Sequence, residues 1–409
     1  MKISKLDNGL TIISQENECS ETIVFSYLIN VGSFNEDESN LGIAHFTEHM
    51  LFKGTKNRTA LKINEDIENI GGILNAETSY QYTKYWCQVP ADQYEIGIDV
   101  LSDLIFNNTI LEDEFNKEKQ VILEELKMYD DDIQFKSYEL LSNIMNKEIN
   151  KKYVGGTLKS VNNIERDQML QFIDKYYTPN NIYLVATGKV NHKLIEDFLN
   201  KNYNIEIKNS YNSIKKQTVN PESNDNTQYL NCSQANISFG IIGPSPNEKD
   251  YYAFEIINDI LGGKTTSRLY KTIREQEGLA YSVSTYIENF KDYSMIIGYM
   301  GLDNENTLFA EDILKNTLEN LNINDEEIHN AKTHICGFIK MKLESSNFKN
   351  NHICDHIIYN IPLNINEYLK NINDVTLLDI KNVINKYFNL DNLYLAKILP
   401  TETANDYNY

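Results

Sequence analysis

Two kinds of hydrophobic pattern alternate along this chain. β-Branched and aromatic residues alternate with polar ones in short segments typical of strands, at residues 22–29, 82–89, 236–242 and 293–299. Apolar residues recur every three or four positions in longer segments typical of helices, such as residues 112–130 and 250–261. Near the start, Asp7-Asn8-Gly9 predicts a hairpin turn. The pattern therefore predicts an α+β fold, with helices packed on largely antiparallel sheets.

One stretch of this pattern occurs twice. The sequences IDKYYTPNNIYL at residues 173–184 and INKYFNLDNLYL at residues 384–395 lie 211 positions apart, and each predicts an amphipathic helix, a polar turn and an apolar strand. A repeat of this length predicts two similar domains rather than a solenoid. We place the first domain at residues 1–207 and the second at residues 232–409. Residues 208–231, which lose periodicity and gather turn-forming residues, are the predicted linker.

Composition narrows the class of protein. With 409 residues, 41% of them hydrophobic, and a mean hydropathy of -0.46, the chain can bury two cores but contains no apolar run long enough for a membrane span. The net charge of -21 argues against a nucleic-acid partner and favours a basic ligand. The five cysteines form no CxxC pair, and residues 1–10 lack an apolar signal core, so we expect a cytoplasmic protein.

The strongest signal for chemistry is the sequence HFTEH at residues 45–49, in a predicted helix that Asn40 caps and Gly54 ends. His45, Glu48 and His49 share one face of that helix. Two imidazoles four residues apart can bind one zinc ion, and the glutamate between them can take a proton from a water molecule at the metal. The alternative is a helix whose two histidines are merely exposed.

A catalytic zinc ion needs a third protein ligand, and the helix predicted at residues 112–130 offers candidates. Two carboxylates share one stripe of this helix with apolar neighbours; the stripe consists of Phe115, Glu118, Val121, Ile122, Glu125 and Tyr129. Buried carboxylates require a compensating charge, which a metal supplies. Glu124 points away from the stripe and is predicted to be solvated. The sequence HICDH at residues 352–356 has the same histidine spacing, but no acidic stripe follows it, and we interpret it as structural.

The sequences HFTEHMLFKGT at residues 45–55 and KEKQVILEE at residues 117–125 resemble the inverted-motif zinc endopeptidases of the pitrilysin and insulinase family, M16. Glu125 follows His49 by 76 residues, which agrees with the family pattern. The chain looks most like the short bacterial branch related to the catalytic subunit of mitochondrial processing peptidase. The resemblance implies that His45, His49 and Glu125 bind one Zn²⁺ per chain. It also implies that Glu48 is the general base and that Glu118 orients a ligand.

The resemblance continues beyond the metal motif. Residues 71–78 look like the family's edge strand, which implies that Asn75 and Ala76 bind substrate backbone by strand addition and that Glu77 lines a subsite. Glu77 stands where relatives often have a neutral residue. An ordinary edge strand is the alternative.

Residues 267–281 are similar to the family's C-terminal signature. The similarity implies that Arg274 and Tyr281, seven residues apart, act as donors to the substrate carbonyl in the transition state. Without it, Arg274 is a cation at a helix end and Tyr281 is a core aromatic residue. No histidine pair recurs in the second half at the corresponding place, residues 253–260, so this half is predicted to form a substrate-binding wall.

We therefore predict a zinc-dependent metalloendopeptidase that cleaves extended, basic, presequence-like peptides. The resemblance implies that it works as a homodimer or as a heterodimer with a related chain. The alternative is a core or scaffold protein that kept the fold and lost proteolysis. A nucleotide-binding protein is a further alternative because of the sequence GGKT at residues 262–265, but its glycine spacing does not fit a phosphate loop.

Overall fold

The computed structural model describes residues 1–146, 153–203, 219, 221 and 223–401. The chain divides into two compact units. The first comprises Met1–Lys127, Lys151–Lys215 and Lys342–Ile358, and the second comprises Met128–Asn150, Lys216–Met341 and Tyr359–Tyr409. Each unit thus takes a segment from the opposite half of the sequence, an exchange that the uninterrupted predicted domains do not contain. Residues 208–218, 220 and 222 of the predicted linker lie outside the described residues, but its last part includes a strand.

The strands of the described chain follow the predicted alternating segments closely. They are β1 (Lys2–Lys5), β2 (Thr11–Glu16), β3 (Thr22–Ile29), β4 (Ile73–Thr78), β5 (Thr83–Pro90), β6 (Ile182–Gly188), β7 (Asp225–Leu230), β8 (Ala235–Gly243), β9 (Ala280–Asn289), β10 (Ser294–Leu302) and β11 (Leu393–Pro400).

Helices occupy most of the intervening chain. The α-helices are α1 (Ile43–Leu51), α2 (Ala60–Glu68), α3 (Tyr94–Phe106), α4 (Glu112–Asp131), α5 (Ile133–Met145), α6 (Leu158–Asn163), α7 (Arg166–Tyr176), α8 (His192–Asn202), α9 (Asp250–Leu261), α10 (Thr307–Glu319), α11 (Asp325–Lys342), α12 (Ser346–Tyr359), α13 (Ile365–Asp374) and α14 (Leu377–Tyr387). A π-helix spans Tyr270–Gln276, and short 3-10 turns cover Ser33–Asn35, Ala91–Gln93, Pro179–Asn181, Asn304–Asn306 and Leu390–Asn392. None of the helices in the described ranges is both long and apolar enough to cross a bilayer.

The sheet of the first unit has the spatial order β1-β2-β6-β3-β5-β4. β2 and β6 are parallel, and the other neighbours are antiparallel. Central β3 is buried on both faces: Phe25 and Tyr27 enter the main core, while Ser26 on the other face donates to Asn350 Oδ1 of α12 at 2.6 Å. The fully buried Asn350 also donates to the Val185 carbonyl at 3.2 Å. This second face therefore needs the α12 segment to satisfy its polar groups.

The sheet of the second unit has the order β7-β11-β8-β10-β9, with β7 and β11 parallel and the other neighbours antiparallel. Helix α5 packs on β8, where Ser137 and Ser238 share a hydrogen bond of 2.7 Å. Gly240 permits this close approach, because a Cβ atom there would overlap the Met145 sulfur. A methyl group at this position would require the Met145 side chain to shift.

The two sheets share one connectivity. If β1 is set aside, each sheet places its strands in the order first, last, second, fourth, third, and its first and last strands are parallel. Helix α14 and strand β11 begin 211 residues after α7 and β6, which is the spacing of the sequence repeat. The predicted α+β fold of two similar domains is confirmed.

A partly buried carboxyl group in the second unit generates a pH prediction. Burial of Glu255 on α9 raises its pKa from the usual 4.5 to about 7, although the Tyr368 hydroxyl donates to its Oε2 at 2.6 Å and favours the charged form. The unfolded chain releases this proton near pH 4.5, whereas the folded chain holds it to about pH 7. Folding stability is therefore lost as the pH rises through this window.

We expect Glu255→Gln to gain melting temperature relative to the unmodified chain as the pH rises from 5 to 8. This gain corresponds to an increase of at most about 3 kcal/mol in the free energy of unfolding. Thermal melts at several pH values measure it, with the exposed Glu319→Gln on α10 as the matched control. A difference that does not depend on pH would contradict the assigned burial cost.

Candidate metal centre

Helix α1, which carries the HFTEH sequence, begins and ends differently from the prediction. It begins at Ile43 with Gly42 as N-cap, and it ends at Leu51 rather than next to Gly54. Asn40 is not its cap, because the Asn40 side chain accepts instead from the Asp37 amide at 2.7 Å.

The residue that caps α1 is Glu36, which the sequence analysis missed. Glu36 is 1% exposed, and its two carboxylate oxygens accept the backbone N–H groups of Gly42 and Ala44, each at 2.8 Å. A carboxylate at this end of a helix satisfies orphan amides and complements the helix dipole. Gly42 has a φ of 91°, a left-handed conformation that favours glycine. No local capping signature reveals Glu36, because it stands six residues before the N-cap.

Helix α4 packs against α1 through two stacked aromatic rings. Phe46 and Phe115 lie with their centroids 4.7 Å apart, and both are buried. Glu118, Ile122 and Leu126 continue the buried stripe of α4. Val121 was predicted on this stripe but is 52% exposed, because it lies one step beyond its edge. The packing turns Glu118 and Glu125 toward the histidine face of α1.

Three candidate metal ligands come together between these helices. One ligand atom each of His45, His49 and Glu125 lies within 4.8 Å of the other two, and His49 Nε2 is 3.7 Å from Glu125 Oε2. Within the described residues this is the one group of three or more such side chains, so the HICDH sequence at residues 352–356 forms no metal cluster there. Glu124 is solvated, 70% exposed at its side chain, and pairs with Lys127 at 2.7 Å.

The donor set fits a zinc ion. Burial lowers the pKa of His45 to about 4, so its ring is neutral at neutral pH and keeps a lone pair for a metal. Its Nδ1 is buried without a hydrogen-bond partner in the part of the chain that the structure describes. His49 Nδ1 contacts Glu118 Oε1 at 2.9 Å, which leaves His49 Nε2 facing Glu125. Two imidazoles, one carboxylate and a second carboxylate behind one imidazole are typical of catalytic zinc sites.

Glu118 links the cluster to a nearby lysine. Its second oxygen lies 2.7 Å from Lys53 Nζ, just beyond the end of α1. Burial alone would raise the pKa of Glu118, but His49 and Lys53 outweigh burial and hold that pKa below its usual value. For His49 burial acts to lower the pKa, and the surrounding carboxylates raise it overall when no cation is bound. The site therefore has an excess of negative charge for a metal to compensate.

Glu48 lies between the two histidines on α1 and is held from the neighbouring strand. The Thr78 hydroxyl at the end of β4 donates to Glu48 Oε2 at 2.6 Å. Burial raises the pKa of Glu48, and the nearby Glu77 and Glu125 raise it further. A partly buried carboxylate with an elevated proton affinity suits acid–base work. Thr78 is a second residue to which the sequence analysis gave no role.

The predicted substrate residues lie on β4, which is the edge strand of its sheet. The Ala76 amide donates to Asn75 Oδ1 at 2.8 Å, so a peptide that uses this amide has to replace the Asn75 oxygen. Glu77 is exposed and pairs with Lys84 Nζ at 2.6 Å.

Arg274 and Tyr281 belong to the second unit. Arg274 lies in the π-helix, with its guanidinium 5.0 Å from the Tyr270 ring centroid. Tyr281, on β9, is 73% exposed and is therefore not a core aromatic residue. In the same unit Lys264 of the GGKT sequence pairs with the buried Asp259, which also contacts His334 Nδ1 at 2.6 Å.

Comparison with known proteins places this site in a family. A protein of Bacillus subtilis named uncharacterized zinc protease YmxG is 30% identical over 399 residues, which cover 96% of this chain and 97% of the relative. The chain belongs to the insulinase family, peptidase family M16. The family profile described as "Insulinase (Peptidase family M16)" matches residues 11–157, and the one described as "Peptidase M16 inactive domain" matches residues 163–335.

Further relatives agree with this assignment. An uncharacterized zinc protease of Rickettsia bellii is 30% identical over 400 residues, with 94% of each chain covered. Among solved structures, a protease from Helicobacter pylori has a TM-score of 0.89 at 22% identity, covering 98% of this chain and 99% of its own. A peptidase M16 inactive domain from Pseudomonas fluorescens has a TM-score of 0.88 at 18% identity, with 98% of each covered. These structures share the fold, and the zinc named in the relatives agrees with the predicted cofactor.

The adjacent acids Glu124 and Glu125 allow a sharp test of the donor set. We expect Glu125→Gln to weaken zinc binding by at least about 100-fold, since the neutral amide is a poorer ligand than the carboxylate. Glu124→Gln removes the same charge one residue away and should leave zinc affinity unchanged. Metal analysis and a competition titration with a chelator measure both variants. Equal zinc loss in the two would mean that α4 presents a different face to α1.

Proposed function

We propose that this chain is a zinc-dependent endopeptidase in which Glu48 is the general base and His45, His49 and Glu125 hold one zinc ion. The observation that carries the proposal is the position of Glu48. It lies on the same helix as two of the three clustered donors, and Thr78 of the edge strand holds one of its oxygens. The family assignment and the names of the zinc protease relatives support it.

The chemistry divides between the ion and the chain. When bound, zinc acts as a Lewis acid that polarises a carbonyl group and lowers the pKa of a water molecule. Glu48 accepts a proton from the attacking water, whose oxygen forms a bond to the carbonyl carbon. Glu48 then delivers that proton to the amide nitrogen as the C–N bond breaks. Glu118 fixes the His49 ring through Nδ1 so that Nε2 faces the cluster.

Strand addition is the proposed mode of peptide binding. The free edge of β4 can pair with an extended peptide backbone, with Asn75 and Ala76 as the contact residues. The Thr78–Glu48 hydrogen bond ties the end of this strand to the proposed base, so a peptide aligned on β4 passes beside it. Arg274 and Tyr281 are proposed as additional donors to the substrate carbonyl, with the exposure of Tyr281 in support.

The proposal includes two further properties. The enzyme prefers basic, presequence-like peptides, and it works as a homodimer or as a heterodimer with a related chain. The net charge of -21 attracts cationic peptides through the long-range field of the protein. Not every acid contributes equally: Asp66 is already paired with Arg58 at 2.9 Å and with Lys62 at 2.7 Å. The attraction of cationic peptides is therefore assigned to the net charge of the whole surface and not to Asp66 itself.

The decisive variant is Glu48→Gln. We expect it to keep the metal and to lose about 10²- to 10⁴-fold in peptide cleavage, because an amide cannot accept the proton while the zinc donors remain. Zinc content and the hydrolysis rate of a fluorogenic peptide library measure the two properties. Cleavage within about threefold of the unmodified chain would overturn the role of Glu48. An unmodified chain that binds zinc without cleaving any peptide would instead favour the scaffold alternative.

Charge attraction and oligomeric state have separate readouts. Because salt screens charges over about 8 Å at physiological ionic strength, added salt should raise the Michaelis constant for basic peptides more than for matched neutral ones. Light scattering at the assay concentration should give a dimer. Salt-independent cleavage without charge preference would contradict the first expectation, and a fully active monomer would contradict the second.

A further inference from the structure

Strand β4 presents two different faces. Ile73, Asn75 and Glu77 are exposed, whereas the intervening side chains are partly buried. Thr78, one of the partly buried set, contacts Glu48 of α1. A peptide added to the β4 edge alternates its side chains in the same way, so every second side chain lies on the face that carries Glu77.

A buried lysine lies directly opposite Glu77. In the antiparallel ladder of β4 and β5, Glu77 pairs in register with Lys84, and the Lys84 Nζ atom is 2.6 Å from Glu77 Oε1. Lys84 is only 6% exposed, although it carries a charge. Its ammonium group also donates to Asn351 Oδ1 of α12 at 3.1 Å. The cation is therefore held by two partners, and its position beside Glu77 is set by the register of the two strands.

A second carboxyl group is electrostatically coupled to this pair. Burial raises the pKa of Asp355 on α12 to about 6, and Lys84 and Glu77 act on that pKa in opposite directions. Above pH 6 one buried cation thus balances two carboxylates, of which only Glu77 is exposed at the strand edge. Loss of Lys84 would leave both uncompensated.

We propose that Lys84 is a specificity-determining residue that masks the charge of Glu77 at one substrate position. The inference rests on the proposed peptidase function and refines it. Attraction by the net charge acts on a basic residue anywhere in a peptide, whereas Glu77 acts only on the substrate side chain beside it. With Lys84 in place that position is not selective for cations, and without Lys84 it becomes so.

The test is a set of peptides in which a single lysine is moved along an otherwise neutral sequence, compared with norleucine at the same position. In the unmodified enzyme the ratio of kcat/KM for lysine over norleucine should be nearly the same at every position. In Lys84→Met the ratio should rise about fivefold at one position, the size expected of a partly exposed ion pair. Glu77→Gln should lower it at that same position, because Lys84 is then left without its exposed partner.

Three further variants identify the source of any effect. Lys62→Met removes the same charge from an exposed helix position and should create no positional preference. Glu77→Gln combined with Lys84→Met should abolish the preference, whereas Asp355→Asn combined with Lys84→Met should keep it.

Uniform ratios in both Lys84→Met and Glu77→Gln would overturn the proposal while zinc-dependent cleavage persists. A preference that follows Asp355 instead of Glu77 would also overturn it. Absence of zinc-dependent cleavage in the unmodified chain would instead overturn the proposed function, so the two failures are distinguishable.

Discussion

The contact on which the site depends is the packing of α1 against α4. Neither helix holds a complete set of donors: α1 supplies two histidines and the proposed base, and α4 supplies the carboxylates. Stacking of Phe46 on Phe115 helps to fix the rotation of both helices, because Phe115 lies on the same stripe of α4 as Glu118 and Glu125. The apolar contact therefore determines the distance between charged groups that would otherwise repel one another.

Compensation of buried charge is the second constraint. Glu36, Glu118 and Lys84 are all buried, and each is matched by a different kind of partner. Backbone amides satisfy Glu36, an imidazole and an ammonium group satisfy Glu118, and an exposed carboxylate satisfies Lys84. An unmatched ion in any of these places would cost several kcal/mol. Glu36 stabilises the start of α1, Glu118 fixes the His49 ring through Nδ1, and Lys84 pairs with Glu77 of the edge strand.

The fold was largely predictable from sequence because its elements are long and strongly periodic. The predicted strand at residues 22–29 and helix at residues 250–261 coincide with β3 and α9, and the repeat spacing recurs in the elements themselves. Helical geometry relates His45 to His49 and Glu118 to Glu125 locally, and the family resemblance joined the two helices into one expected ligand set. Glu36, Thr78 and Lys84 were not predictable, since each acts on a residue brought near by a turn, by packing of a helix on a strand, or by strand pairing. The predictions for Val121 and Asn40 were wrong because a small shift along the chain decides whether a residue lies on the buried stripe of a helix or at its cap.

The exchanged segments carry a consequence for how the protein is made. Helix α12 supplies the polar partner of Ser26 on the second face of the first unit's sheet, and it begins more than 150 residues after β6, the last strand of that sheet to be synthesised. Until then the Ser26 hydroxyl lacks its Asn350 acceptor. A nascent chain that has released all six strands still lacks the last segment of its first unit. A shortened chain that ends before α12 therefore lacks part of the unit that carries the zinc donors.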